Sequence, residues 1–257
     1  MDLQLTNKVV IVTGASRGIG RAIATTLSAE GMRVAVVART QAALEELAAS
    51  LPTECLVVAA DLREAEAPAR VVAAVVERFS GIDVLVNNAG ATKRGDFLSL
   101  QDADWADGYA LKFFGAMRMC RAAWPHLQGR RGSIVNIVGI GGRTGRAEFA
   151  IGGSVNAALL NLTKVLADRG TEDGVRVNAI NPGSIATERL QGRIAALARE
   201  RGLGLEAAGQ VMASEMGVPR FGRPEEIANA VAFLASAKAD YIHGAILDAD
   251  GGATKTL

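Results

Sequence analysis

Short continuous runs of β-branched and other apolar residues punctuate this chain. They are KVVIVT (8–13), RVAVVA (33–38), CLVVAA (55–60), DVLVN (83–87), SIVNIV (133–138) and VRVNAI (175–180). Runs without polar alternation suit strands covered on both faces, as in a parallel sheet. Between them apolar positions recur at three or four, predicting helices near 19–30, 41–50, 64–79, 100–127 and 154–169. A last helix is expected from Pro224 to about Ala235, with proline where a missing N–H is harmless, leading into a seventh strand within AILDAD (245–250). Such alternation predicts right-handed crossovers. The expected fold class is α/β: one domain over 1–257, a doubly wound, seven-stranded parallel sheet in a three-layer sandwich.

Two stretches break the rhythm. Residues 188–218 are helical in pattern but fall between the sixth strand and the last crossover helix, where an insertion at a strand's carboxyl end reads as a lid. The second is FAIGGSVNAALLNLTKVLA (149–167), an apolar helix with Gly152 and Gly153 at its mouth. Each glycine inside the helix would cost about 1 kcal/mol relative to alanine, so a late start capped by Ser154 is expected.

Composition narrows the class. Hydrophobic residues are 49% and charged residues 21% of 257, the profile of a soluble globular protein, and the net charge of +1 gives no field favouring nucleic acid. Cys55 and Cys120 sit apart in apolar runs and read as buried thiols of a reducing compartment. MDLQLTNKVV lacks a secretory pattern, and no run reaches about 18 apolar residues, so a cytoplasmic protein without a membrane span is expected. No metal site is expected, and His126 and His243 read as structural.

The segment VVIVTGASRGIGRAIA places Gly14, Gly18 and Gly20 between a buried strand and a helix start. Glycines there permit a tight turn and let N–H groups approach a diphosphate at the positive end of the helix. The second strand ends in Ala38, Arg39 and Thr40, without the acid that binds a free ribose hydroxyl. Arg39 and Arg17 instead suit a 2′-phosphate, so NADP(H) is favoured over NAD(H).

Taken together, the motifs resemble those of the short-chain dehydrogenase/reductase family across nearly the whole chain. TGASRGIG (13–20) resembles its phosphate loop, DL (61–62) its adenine contact, NNAG (87–90) its strand-capping motif and NPGSIATE (181–188) its nicotinamide segment. GRPEEIA (222–228) and DADGG (248–252) match its C-terminal signatures. The resemblance implies a Rossmann-type fold with cofactor contacts from Gly14, Ser16, Arg17, Gly18, Ile19, Gly20, Arg39 and Thr40. It implies further contacts from Asp61, Leu62, Asn88, Ala89, Gly90, Ile137, Pro182, Gly183, Ile185 and Thr187. The long helices 100–127 and 154–169 resemble the family's dimer interface, which implies a homodimer or homotetramer. The implied partner is an unidentified small-molecule substrate, with neither nucleic acid nor membrane.

The family's proton chemistry rests on asparagine, serine, tyrosine and lysine. The matching positions here hold Lys112, Gly139, Gly152 and Asn156, so all four differ from the pattern. Phe149 has a ring but no hydroxyl, and no tyrosine lies between Tyr109 and Tyr241. The exchange of Lys112 and Asn156 keeps one ammonium and one amide at the nicotinamide end. Either Lys112 reaches the volume left at Gly139 and Gly152, with a depressed pKa, as acid or base, or it turns to solvent or a neighbouring acid in a chain that has lost the activity. Glu148, Arg143 and Arg146 form either an anion site or a solvated loop, and Met212 and Met216 either line a pocket or pack the lid. Three functions stay open: an NADP(H)-dependent oxidoreductase with a rearranged site, a non-catalytic NADP(H)-binding protein, and a different reaction in the same pocket, such as elimination or isomerisation, for which no residue speaks.

Overall fold

The computed structural model describes residues 1–255. Seven parallel strands form one sheet in the order β3-β2-β1-β4-β5-β6-β7. They are β1 (Val9–Thr13), β2 (Arg33–Ala38), β3 (Cys55–Ala59), β4 (Val84–Asn87), β5 (Ser133–Ile137), β6 (Arg176–Pro182) and β7 (Ile246–Ala249). Alternate residues of each strand serve opposite faces, because successive side chains in a pleated strand point to opposite sides. Val10 and Val12 of β1 enter one core with Ile23, Leu27, Leu44 and Val231, which lie on α1 (Gly18–Ala29), α2 (Gln41–Ser50) and α9 (Pro224–Ala235). Val9 and Ile11 enter the other, with Val71, Val75, Met119 and Ala167 of α3 (Ala67–Phe79), α5 (Ala116–Gln128) and α6 (Ala150–Asp173). The expected α/β, doubly wound, Rossmann-type sandwich is the observed one. Its strand order reverses between β1 and β4, the place where such sheets bind ligands.

Three details differ from the sequence reading. The helix expected over 100–127 is interrupted: α4 (Asp102–Tyr109) passes into a wide π-type turn at Ala110–Gly115 before α5 begins. A π-turn inserts one residue into the helical register and is common at functional sites. The helix expected from Ser154 starts instead at Ala150, so Gly152 and Gly153 are interior, and Ser154 Oγ donates to Ala150 O rather than capping. Helix α3 starts at Ala67, not 64, with Pro68 in its first turn.

The last turn of α6 is pinned to α5, where Asp173 accepts from Trp124 Nε1 (2.7 Å), Gln128 Nε2 (3.2 Å) and Arg169 Nε (2.7 Å). By length and composition alone, Ala147–Asp173 would suffice to cross a membrane, at a mean hydropathy of 1.3. In the fold its residues Val155 and Leu159 are buried, whereas Val165 is exposed. The inserted segment forms two packed helices, α7 (Glu188–Arg201) and α8 (Leu205–Glu215). Of its methionines, Met212 is buried, and Met216 Sδ accepts from Ser184 Oγ (3.1 Å). Met216 thereby ties the insertion to the segment after β6. His243 bridges α6 and β6, accepting from Val177 N at Nδ1 (3.1 Å) and donating from Nε2 to Ala167 O (2.6 Å). Cys120 is buried, and burial pushes its thiol up to about 12. Cys55 is only half-buried, less than the sequence suggests.

Candidate active site

The carboxyl ends of β1, β2 and β4 form one half of the site. Gly14 (φ +66°) and Gly18 (φ +55°) adopt backbone conformations that side chains disfavour. A Cβ at Gly20 would lie 2.1 Å from Gly14 O, so only glycine lets α1 begin this close to β1. Arg17 precedes α1 without a side-chain cap, which leaves the first N–H groups of the helix free for an anion. Ser16 and Ile19 flank that opening. The loop is fixed from beneath by Asn88, whose Nδ2 donates to Thr13 O (3.0 Å) and Gly14 O (3.1 Å). Thr13 Oγ1 in turn accepts from the N–H groups of Asn88 and Ala89.

Arg39 and Thr40 are exposed at the end of β2. Arg39 forms no ion pair among the described residues, whereas Arg17 lies 3.8 Å from Glu188 with both side chains largely in solvent. Leu62 is buried, and Asp61 accepts from Arg63 N (3.0 Å) and pairs with its guanidinium. Arg63 extends that network to Asp107 at 2.6 Å.

The other half lies at the ends of β5 and β6. Ile137, Pro182 and Ile185 are buried, and Thr187 precedes α7. Gly183 approaches Asp250 so closely that a Cβ would sit 2.8 Å from its Cα. Gly139 has φ +130°, and its N–H donates to Asn181 Oδ1 (3.2 Å). Asn181 is oriented by Asp248, which also holds Arg143 (2.5 Å). Gly139 thus holds a backbone conformation that a side chain would disfavour. Gly139→Ser should destabilise the fold by about 1–3 kcal/mol, the cost of a side chain in a disfavoured φ region, read as a lower midpoint in urea.

Asn156 is 2% exposed; its Nδ2 donates weakly to Gly139 O (3.4 Å) and its Oδ1 has no partner among the described residues. The wide turn at 110–115 carries Lys112 inward. Its methylenes lie against Gly90, where a Cβ would be 2.9 Å from Cδ, and its Nζ donates to Val138 O at 2.5 Å. Burial, and secondarily the charge of Arg189, lowers the ammonium pKa from 10.5 to about 7. Among the described residues Lys112 has no carboxylate partner.

Lys112 thus reaches Val138, beside Gly139, but not the space above Gly152. That space holds the ring of Phe149: a Cβ built on Gly152 would lie 2.1 Å from Cε2 and from Cζ. The ring also lies close to Gly141, whose Cβ would be 2.8 Å from Cε1. The guanidinium of Arg94 covers it, 4.7 Å from the ring centroid. The ring lying against Gly152 is therefore supplied from three residues earlier, by Phe149, which has no hydroxyl.

The inserted segment reaches the site through Arg189, which donates to Gly90 O just after β4 (3.1 Å). Sequence reasoning missed Arg94 and Arg189. Nothing in their local pattern distinguishes them from solvated arginines, since they reach the site only through tertiary structure.

A family profile described as enoyl-(acyl carrier protein) reductase matches residues 14–254. The chain is 34% identical to a meso-2,3-butanediol dehydrogenase from Serratia marcescens, over 98% of this chain and 96% of that one. It is likewise 34% identical to a 3-oxoacyl-(acyl-carrier-protein) reductase FabG from Staphylococcus epidermidis, over 96% of this chain and 98% of that one. Among solved structures, an L-sorbose reductase from Gluconobacter frateurii, complexed with NADPH and L-sorbose, superposes with a TM-score of 0.95 over the whole of both chains at 34% identity.

Proposed function

The chain belongs to the short-chain dehydrogenase/reductase family, and on that premise we propose that it is an NADP(H)-dependent oxidoreductase of carbonyl and alcohol substrates, with Lys112 in place of a tyrosine as proton donor. The observation that carries this reading is the Lys112 ammonium, drawn inward onto Val138 O beside Gly139 with its pKa near neutrality.

The residues fit the dinucleotide. The uncapped start of α1 suits its diphosphate, and Arg39 at the end of β2 suits a 2′-phosphate. The NADPH-bound L-sorbose reductase supports the same choice. Asn156 Oδ1, lacking a donor, would accept from a ribose hydroxyl. When bound, the cofactor supplies or removes hydride at the substrate carbon. Lys112 gives a proton to the substrate oxygen in reduction, and its neutral amine takes one in oxidation. An ammonium has three protons, so the bond to Val138 O leaves two for other acceptors. Phe149 excludes water on one side of this space and takes no part in proton transfer.

Direct NADPH binding measured beside NADPH oxidation on a carbonyl panel tests the proposal. Saturable binding with turnover is expected; binding without turnover would favour a non-catalytic NADP(H)-binding protein. Arg39→Ala should weaken NADPH by about 1–3 kcal/mol, as for a lost charge-assisted bond, and leave NADH nearly unchanged. Equal losses in calorimetry would remove the 2′-phosphate contact.

We also propose that the chain forms a homodimer or homotetramer through α4–α5 and α6. Phe114 (40% exposed) and Val165 (56% exposed) leave apolar surface on that side. Light scattering at micromolar concentration should give at least twice the monomer mass, and a monomer alone would contradict it.

A further inference from the structure

The wide turn at 110–115 decides where Lys112 points. Closing it to an ordinary helix would rotate the side chains it carries by up to about 100° about the axis, one residue's worth. A change of that size would carry the ammonium away from Val138 O. The turn must therefore be held open against the tighter helix on either side.

The segment after β3 meets this turn on both flanks. Ahead of it, the Arg63 guanidinium grips Asp107 of α4 twice, Nε to Oδ1 (2.6 Å) and Nη2 to Oδ2 (3.4 Å). Beyond it, Arg63 O accepts from Arg118 Nη1 of α5 (3.3 Å), whose guanidinium lies 5.4 Å from the centroid of the Phe114 ring. At the end of the turn stands Gly115, where a Cβ would be 3.1 Å from Leu62 O, so the segment packs directly on it. Arg63 is fixed in its turn by Asp61, which accepts from its N–H (3.0 Å) and from Nη1 (3.3 Å). An isolated surface ion pair contributes at most about 1 kcal/mol. Here the arginine side chain is only 25% exposed, forked onto one carboxylate and joined to a second. One residue spans the turn.

We propose that Arg63 is a positioning residue for Lys112: by gripping Asp107 ahead of the wide turn and Arg118 beyond it, it keeps the ammonium drawn inward onto Val138 O. This rests on the proposed role of Lys112 for its effect on rate, but not for its effect on the lysine's place. That place can be read from a titration. Among the described residues Lys112 has no carboxylate partner on any element; burial, then the charge of Arg189 on α7, holds it near 7. A turn that relaxes returns the amine to water and raises its value toward 10.5. Asp107→Asn removes a negative charge, which by its field alone would lower a lysine's value, so an upward shift reports movement.

The test follows Lys112 in the full chain by carbon-13 NMR of labelled lysine, its resonance identified by its absence from Lys112→Met. Asp107→Asn should raise the midpoint from near 7 to about 8 or above, a tenfold or greater change in proton affinity. Arg63→Gln, which breaks the same grip from its other partner, should shift it in the same direction. Asp104→Asn is the control, because Asp104 caps the start of the same helix, accepting from Gln101 N (3.0 Å) and Lys93 Nζ (2.8 Å). It should lower the urea midpoint and leave Lys112 titrating where it did. In NADPH-driven reduction at neutral pH, Asp107→Asn should lower kcat by about 10–100-fold with KM for NADPH nearly unchanged, the effect of a misplaced reacting group. A Lys112 midpoint unmoved or lowered in both Asp107→Asn and Arg63→Gln, or raised equally in Asp104→Asn, would overturn the proposal. A midpoint raised in both while reduction is unaffected would leave it standing and sink Lys112 as proton donor. Reduction abolished in Lys112→Met, with rate and midpoint both unchanged in Asp107→Asn and Arg63→Gln, would do the reverse.

Discussion

Lys112→Met is expected to lower kcat/KM for carbonyl reduction by about 10²–10⁴-fold, the range for a lost general acid, with NADPH affinity nearly unchanged. Methionine keeps most of the side chain's length and its packing against Gly90 but cannot donate a proton. The loss would not come from unfolding. Because the folded pKa of about 7 lies below the ordinary 10.5, the unfolded chain binds the extra proton between those values. The charged lysine therefore costs stability, fully below pH 7 and progressively less as pH rises toward 10.5. Methionine removes that cost, against about 1 kcal/mol for the donor lost at Val138 O. Lys112→Arg should not rescue activity, since a guanidinium does not release its proton near neutrality. Undiminished turnover in Lys112→Met would take this residue out of the mechanism.

The second large effect concerns Phe149 and Gly152, and here the sign is the test. In an unencumbered helix interior, glycine to alanine stabilises by about 1 kcal/mol. At Gly152 the new Cβ would collide with the Phe149 ring at 2.1 Å, forcing it from its place against Gly141 and Gly152 and off Arg94. Gly152→Ala should therefore destabilise by about 1–3 kcal/mol, an ordinary overpacking cost. In a Phe149→Ala background the obstacle is gone, and the same change should stabilise by about 1 kcal/mol. A double-mutant cycle in urea should show coupling of about 2–4 kcal/mol, at or above the upper end for residues in contact. Additive changes would mean that the ring does not lie over Gly152.

The sheet was legible because its signal is local and redundant. Apolar runs such as VVIVT and RVAVVA, alternating with helical patterns, suit strands of a parallel sheet covered on both faces, and β1, β2 and β4 lie where those runs predicted. The phosphate loop was legible for the same reason: Gly14, Gly18 and Gly20 are close in sequence and constrained by backbone sterics. The start of α6 was misjudged because glycine propensity and the capping preference of Ser154 are weak terms. The ring packed over Gly152 overrides both and holds the helix open to Ala150. The wide turn at 110–115 left no mark in the periodicity of 100–127, yet it aims Lys112 inward. Residues joined only by tertiary structure, such as Arg94 and Arg189, carry no periodic or motif signal at all. Lys112, Gly139, Gly152 and Asn156 could be singled out one by one, but not that Phe149 would lie against Gly152.

The pH dependence of NADPH-driven reduction tests the assignment of Lys112 most directly. With a proton donor titrating near 7, kcat/KM should level off at acid pH and fall about tenfold per unit above it. The reverse oxidation should rise over the same interval, while NADPH affinity, measured separately, stays nearly flat. Reduction that holds a constant rate from about pH 6 to about pH 9, where this lysine loses its proton, would contradict the account.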